Sequence, residues 1–125
     1  MDTLTQFFID NSTIFYMACS FMLLDIATGL AKAAKEKNYS SEIMRLGLFH
    51  KFAFIAVMVA SAVLEIGLTD PHVSLTFDFP LFDIVCAYVI LTEFTSIAEN
   101  ACKINPQLNN FLGKYIADKQ VISND

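Results

Sequence analysis

The chain has 125 residues, of which 55% are hydrophobic and 17% are charged. A soluble domain of this length has too little interior to bury so much apolar surface, so the composition favours a membrane protein. A formal net charge of −5 and the absence of a dense basic stripe argue against nucleic acid as a partner. The length limits the protein to a single domain, residues 1–125.

Three segments are long and apolar enough to cross a bilayer as helices, which takes about 20 residues each. A polar, cationic stretch separates the first segment from the second, and a stretch containing Pro71 and Pro80 separates the second from the third. The pattern predicts an all-α membrane protein with transmembrane helices at about 13–31, 48–68 and 79–98.

The C-terminal tail shows a different pattern. Asn105-Pro106 is typical of a helix start, since proline is favoured at the first helical position. Apolar residues then recur at spacings of three and four, which predicts an amphipathic helix over about 106–122. We expect this helix to lie on the membrane surface or against another subunit. The apolar positions are Leu108, Phe111, Leu112, Tyr115 and Ile116.

The eight Lys and Arg residues fall on one side of the predicted membrane. None precedes the first segment and none lies between residues 69 and 78. Cytoplasmic loops hold the excess of Lys and Arg, so the N-terminus is expected outside and the C-terminus in the cytoplasm. The cations are Lys32, Lys35, Lys37, Arg45, Lys51, Lys103, Lys114 and Lys119.

Asp25 lies inside the first segment, where a carboxylate costs roughly 2.5–3.5 kcal/mol. The seven Leu, Ile and Phe residues of that segment contribute roughly −2 to −4 kcal/mol, so Asp25 nearly cancels their effect. The cost falls if Asp25 faces other helices or water. We therefore expect a bundle assembled as a homo-oligomer, with Asp25 turned inward.

Each predicted helix has a face of small and polar residues at the spacing of three and four that a helix face requires. On the second helix, Ala56 and Ala60 form a small-xxx-small pair, which allows helix backbones to approach closely. The predicted pore-lining or inter-helix polar seam comprises Asp25, Thr28, Gly29, Lys32, Lys51, Glu93, Ser96 and Asn100. The predicted helix-packing stripe comprises Ala53, Ala56, Ala60 and Gly67.

Lys51 lies at the cytoplasmic start of the second segment, and Asp25 and Glu93 lie in the cytoplasmic halves of the other two. We expect Lys51 to pair with one of these carboxylates or to bridge both. Two interpretations stay open: an ion pair that only orients the bundle, or a group that lines or gates a pore. Glu65 and Asp83 lie nearer the outer surface, where we expect water to solvate them.

The sequence contains no phosphate-binding loop, nucleophile elbow or metal motif. Cys19, Cys86 and Cys102 have neither disulfide nor metal spacing, and we interpret them as packing residues. We therefore expect a protein that is not an enzyme, with no catalytic residues, no metal and no cofactor.

Three short motifs occur in order along the chain. They are D-x-x-T-G-x-x-K-A from Asp25 to Ala33, S-x5-G-x3-K from Ser41 to Lys51, and the segment Glu93 to Asn100 followed by Pro106. Together they resemble the toxin-secretion/phage-lysis holins, small phage proteins related to the exporters of large clostridial toxins. The resemblance covers about residues 23–112.

The resemblance implies a multi-pass inner-membrane protein of a phage or prophage, whose partners are the lipid bilayer and further copies of itself. Such proteins oligomerise and then open, letting an endolysin or a toxin cross as cargo, which leads to cytolysis. The residues alone leave two other classes open. One is a small ion- or proton-conducting channel or transporter subunit in which Asp25 and Glu93 relay ions. The other is a non-conducting membrane adaptor whose tail binds a partner.

Overall fold

A computed structural model describes residues 2–75 and 78–113. Within these ranges the chain is helical and contains no strand. The elements are α1 (Thr3–Asp10), α2 (Ser12–Glu36), α3 (Ser41–Thr69), α4 (Leu81–Ile104) and a 3₁₀ turn at Pro106–Leu108.

Helices α2, α3 and α4 are each long and apolar enough to cross a bilayer, which confirms the predicted number of membrane-spanning helices. Helix α3 begins at Ser41, ahead of the membrane span predicted at about 48–68. Its 29 residues extend about 43 Å, against a hydrocarbon core of about 30 Å. Helix α3 is therefore longer than the apolar layer is thick.

That turn is defined by local backbone chemistry. Helix α2 ends at Lys37, which adopts the left-handed conformation with a φ of 51°. Its N–H donates to carbonyls of the last turn of α2, as is common at helix C-termini. Ser40 then caps α3, because its hydroxyl oxygen accepts a hydrogen bond from the Ile43 N–H at 3.3 Å. A short polar turn thus joins α2 to α3.

The sequence patterns do not predict α1. Asp2 caps this helix by accepting a hydrogen bond from the Thr5 N–H at 2.7 Å, which also holds the pKa of the Asp2 carboxyl below its usual value. The helix ends at Asn11, whose side-chain amide donates to the Phe7 carbonyl at 2.9 Å. Phe7 packs edge-on against Phe82 of α4 at 5.5 Å between ring centroids, so α1 covers one end of the bundle.

Helix α4 lies at the centre of the helix bundle and packs against both α2 and α3. In the most apolar 18-residue stretch of α4, 28% of the residues are buried, whereas the corresponding share is 11% in α2 and 17% in α3. The apolar core lies between the three helices. Most other large apolar side chains are exposed, a distribution that suits lipid as the surrounding solvent. The core residues are Ala18, Met22, Met58, Ala62, Phe82, Cys86 and Val89.

The predicted tail helix over 106–122 is described only in its first part. Pro106–Leu108 forms the 3₁₀ turn, whose start is capped by the Asn105 side chain, and residues 109–113 are helical. The rest of that predicted helix lies outside the described residues.

Candidate functional site

An ion triad joins the three long helices. Lys51 Nζ on α3 lies 2.6 Å from Asp25 Oδ2 on α2 and 2.8 Å from Glu93 Oε2 on α4. The exposed fractions of the three side chains are 11% for Lys51, 16% for Asp25 and 4% for Glu93, so the triad is nearly enclosed by the chain. Lys51 therefore bridges both carboxylates. The sequence left open whether it would pair with one of them or with both.

Asn100 extends this polar group along α4. Its side-chain amide nitrogen lies 3.3 Å from Asp25 Oδ1 and 3.2 Å from Thr28 Oγ1. The Thr28 hydroxyl donates to the Asp25 carbonyl, one turn back on α2, at 3.2 Å. Among the described residues, no buried side-chain nitrogen or oxygen lacks a hydrogen-bond partner. The polar seam is thus satisfied inside one chain, as buried polar groups require.

Helical spacing explains why these side chains meet. On α4, Glu93 and Asn100 are two turns apart and share the face that also buries Phe82 and Val89. On α3, Lys51 shares a face with the buried Met58. Each polar residue of the seam therefore continues the same inward face that carries the apolar core.

A cleft of about 320 Å³ opens between α2 and α3 on the side of their connecting turn. Residues 38–40 of the turn form part of its wall, and Asp25 and Lys51 lie along it. Helix α4 contributes Ser96 and Asn100. Because α2 and α3 each pack mainly on α4, the space between them stays open at this level and leads from the turn to the ion triad.

The structure brings the eight predicted seam residues to one place. Five form the hydrogen-bonded group described above, and the other three, Gly29, Lys32 and Ser96, line the cleft. A Cβ atom added to Gly29 would lie 3.7 Å from Asn100 Nδ2, an ordinary contact distance. The backbone of Gly29 has a negative φ, so neither space nor conformation demands glycine there.

The predicted packing stripe on α3 is exposed with respect to the described part of the chain. Ala53, Ala56, Ala60 and Gly67 are all exposed, and α3 faces α4 with Met58, Ser61 and Ala62 instead. A packing role for the stripe would therefore operate between chains, and it stays a prediction.

Glu65 makes a hydrogen bond that the sequence patterns do not predict. Instead of being solvated only, its carboxylate Oε2 accepts a hydrogen bond from the Phe82 N–H at 2.7 Å. Pro80 occupies the cap position of α4 and offers no side-chain hydrogen bond, so the first N–H groups of α4 need another acceptor. The lack of a capping side chain before α4 is visible in the sequence and indicates that a distant acceptor is needed. It does not identify which residue supplies that acceptor.

Lys35 makes the corresponding contact at the other end of α4. Its ammonium nitrogen lies 3.1 Å from the Lys103 carbonyl oxygen and 2.6 Å from that of Ile104. A cation at a helix C-terminus is favoured by the helix dipole. Helix α4 is thus held by α3 at its start, by the ion triad in its middle, and by α2 at its end.

The chemistry of this site is electrostatic. Among the described residues, no group of three or more His, Cys, Asp or Glu side chains could hold a metal ion. The hydrogen-bonded part of the seam consists of one ammonium, two carboxyl groups, an amide and a hydroxyl, which are linked by successive pairwise contacts. Such a group can orient helices, exchange its internal contacts for water, or bind a proton.

Comparison with known proteins gives one family. A family model described as the bacteriophage holin family matches residues 2–120. No curated protein and no solved structure matches the chain. The matched range includes all three membrane-spanning helices and every residue of the ion triad.

Proposed function

Because the chain belongs to the bacteriophage holin family, we propose that it oligomerises in the bacterial inner membrane and opens a pore that releases an endolysin or a toxin. The family match over residues 2–120 is the observation that carries this proposal. Holins are membrane proteins of phage origin and are not enzymes. The three apolar helices agree with a multi-pass membrane protein.

A pore requires several copies of this chain. The three long helices of one copy pack around a nearly enclosed seam whose polar groups are bonded to each other. In the proposed open assembly, these groups exchange their internal contacts for water and line the pore. The exchange uses side chains already present on all three helices, with Asp25, Lys51 and Glu93 as the charged members.

The stripe of small residues on α3 is the proposed contact between copies. Ala53, Ala56, Ala60 and Gly67 are exposed on the chain. Since lipid tails are as apolar as leucine, helices in a membrane associate through close van der Waals packing, which small residues permit. The exposed position of these four residues therefore supports a role between subunits.

The proposed orientation has the N-terminus outside and the C-terminus in the cytoplasm. It rests on the placement of the cations, which cluster at the α2–α3 turn and after α4. A reporter active only outside the cytoplasmic membrane tests it: inserted after Asp70, it should be active, and inserted after Asn38, inactive. The reverse result would show that the N-terminus and the C-terminus lie on the opposite sides of the membrane from those proposed.

Induced expression in a bacterium that contains a cytoplasmic reporter enzyme tests the pore. We expect loss of viability and release of the enzyme into the medium. Ala56→Leu should delay or abolish release by separating the subunits, whereas Val57→Leu, at a neighbouring exposed position, should not. If the wild-type protein accumulates in the membrane while viability and membrane potential stay normal, the pore proposal is wrong.

A small ion- or proton-conducting channel is the second candidate, favoured by the cleft that reaches Asp25 and Lys51 from one side. The two functions differ in the size of the solute that crosses. A channel of this kind would pass ions and retain the reporter enzyme, and Asp25→Asn would abolish its flux while leaving assembly intact.

The proposed cargo is a folded protein, either an endolysin or a toxin. The motif from Asp25 to Ala33 resembles the toxin-secretion holins, which supports a large toxin as cargo beside an endolysin. Co-expression of each cargo separately with this chain distinguishes them, since only a true cargo should appear in the medium before general cell lysis.

A further inference from the structure

The ion triad has one negative charge more than it can balance. Asp25 and Glu93 are both acids, and among the described residues Lys51 is the one base in contact with them, so full ionisation leaves a net charge of −1. Asn100 and Thr28, which complete the group, are neutral. An unbalanced charge in a low-dielectric site is costly, and such a site takes up a proton instead.

Within the part of the chain that the structure describes, the surrounding charges do not supply the missing cation. Lys32 and Glu36 of α2 both line the cleft and carry opposite charges. Lys32 is seven residues from Asp25, about 10 Å along the helix. Asp10, the one charged residue of α1, is exposed at the other end of the bundle. Among the titratable side chains on α3 and α4, His50, Glu99 and Lys103 are exposed and Cys102 is buried.

The contacts indicate which carboxyl group carries the proton. Asp25 accepts hydrogen bonds from both Lys51 and Asn100, while Lys51 is the donor to Glu93. Glu93 is also the less exposed of the two acids, at 4% against 16%. Burial away from water and fewer hydrogen-bond donors both favour the neutral form of a carboxyl group, so the proton is better placed on Glu93.

We propose that the triad binds one exchangeable proton, held on Glu93 and exchanged with water by way of Asp25, which lines the cleft between α2 and α3. Asp25 and Lys51 lie along this cleft. The cleft opens at residues 38–40, on the side where the cations lie. Protonation leaves a neutral closed triad, and loss of the proton leaves a net charge that favours water entry and separation of the helices.

Infrared spectroscopy of the full chain in lipid nanodiscs tests this proton directly. We expect a carbonyl stretch of a protonated carboxylic acid at neutral pH. Carboxyl-¹³C labelling of glutamate should shift this band, and the same labelling of aspartate should not. Absence of the band at neutral pH, or a shift on aspartate labelling instead, overturns the proposal.

Charge-balancing variants add a second readout. Glu93→Gln and Asp25→Asn each leave one acid with one base, so the band should disappear in both. Lys51→Met leaves two acids without a base, so the band should grow. Glu99→Gln, an exposed position on the same helix, is the matched control and should leave the band unchanged. A band that survives in Glu93→Gln would contradict the assignment, even if the variant folds normally.

This proposal does not rest on pore formation. The infrared band is measured on purified protein in its closed form, whereas the proposed function is measured by release of a reporter enzyme from cells. A protein that shows the band and releases no enzyme would contradict only the pore.

Discussion

Replacing Lys51 by methionine removes the cation of the ion triad while keeping much of the apolar length of the side chain. The exposed fraction of the Lys51 side chain is 11%, and its two carboxylate partners are nearly enclosed as well. Removing one member of a buried ion pair costs about 3–5 kcal/mol, because the groups that remain lose their counter-charge and their hydrogen-bond partner. We expect Lys51→Met to lower the unfolding free energy of the protomer by about this amount.

Titration of the purified protein with sodium dodecyl sulfate in mixed micelles measures this loss, with helicity as the signal. Lys35→Met is the matched control, because Lys35 is exposed and bonds only to carbonyls at the end of α4. It should cost less than about 1 kcal/mol. The triple variant Asp25→Asn, Lys51→Met, Glu93→Gln should recover most of the loss, because no charge remains buried. If Lys51→Met costs no more than the control, the triad does not hold the helices together.

Three further predictions concern the same assay. Phe82→Ala should cost about 3–5 kcal/mol, because Phe82 is 1% exposed and packs against the rings of α1 and α2; a loss below about 1 kcal/mol would contradict the packing. Gly29→Ala should leave stability unchanged or raise it by up to about 1 kcal/mol, since the added methyl group has room and alanine favours the helix; a large loss would contradict the observed spacing. Glu65→Ala should cost about 0.5–2 kcal/mol through the uncapped N–H of Phe82, and Glu65→Gln less than that; equal stability of all three forms would show that the cap contributes nothing.

The predictions from sequence succeed where one helix decides the answer. Three apolar segments of the right length predict three membrane-spanning helices, because in lipid every backbone polar group must be satisfied within the segment. The polar face of α2 also follows from spacing alone: Ala18 and Met22 are buried on the same face that carries Asp25. The bridge by Lys51 follows from depth, since a costly buried carboxylate needs a partner at its own level.

The predictions from sequence fail where contacts between distant segments decide the answer. Helix α1 is stabilised by Phe7 and Phe8 packing against Phe82, a contact between residues far apart along the chain. The spacing of alanines on α3 identifies a face that permits close packing, but it does not say which neighbour uses it. Within the chain α4 instead meets the face of α3 that carries Met58, Ser61 and Ala62.

Release of graded solutes from liposomes tests the central claim most directly. The purified full chain is reconstituted into liposomes loaded with a small dye and with dextrans up to the size of a folded enzyme, and the oligomer mass is measured in parallel. We predict that an oligomer forms and that the enzyme-sized dextran escapes together with the dye. Release of ions or dye alone, with the large dextran retained in the presence of the assembled protein, would contradict a pore that passes folded cargo.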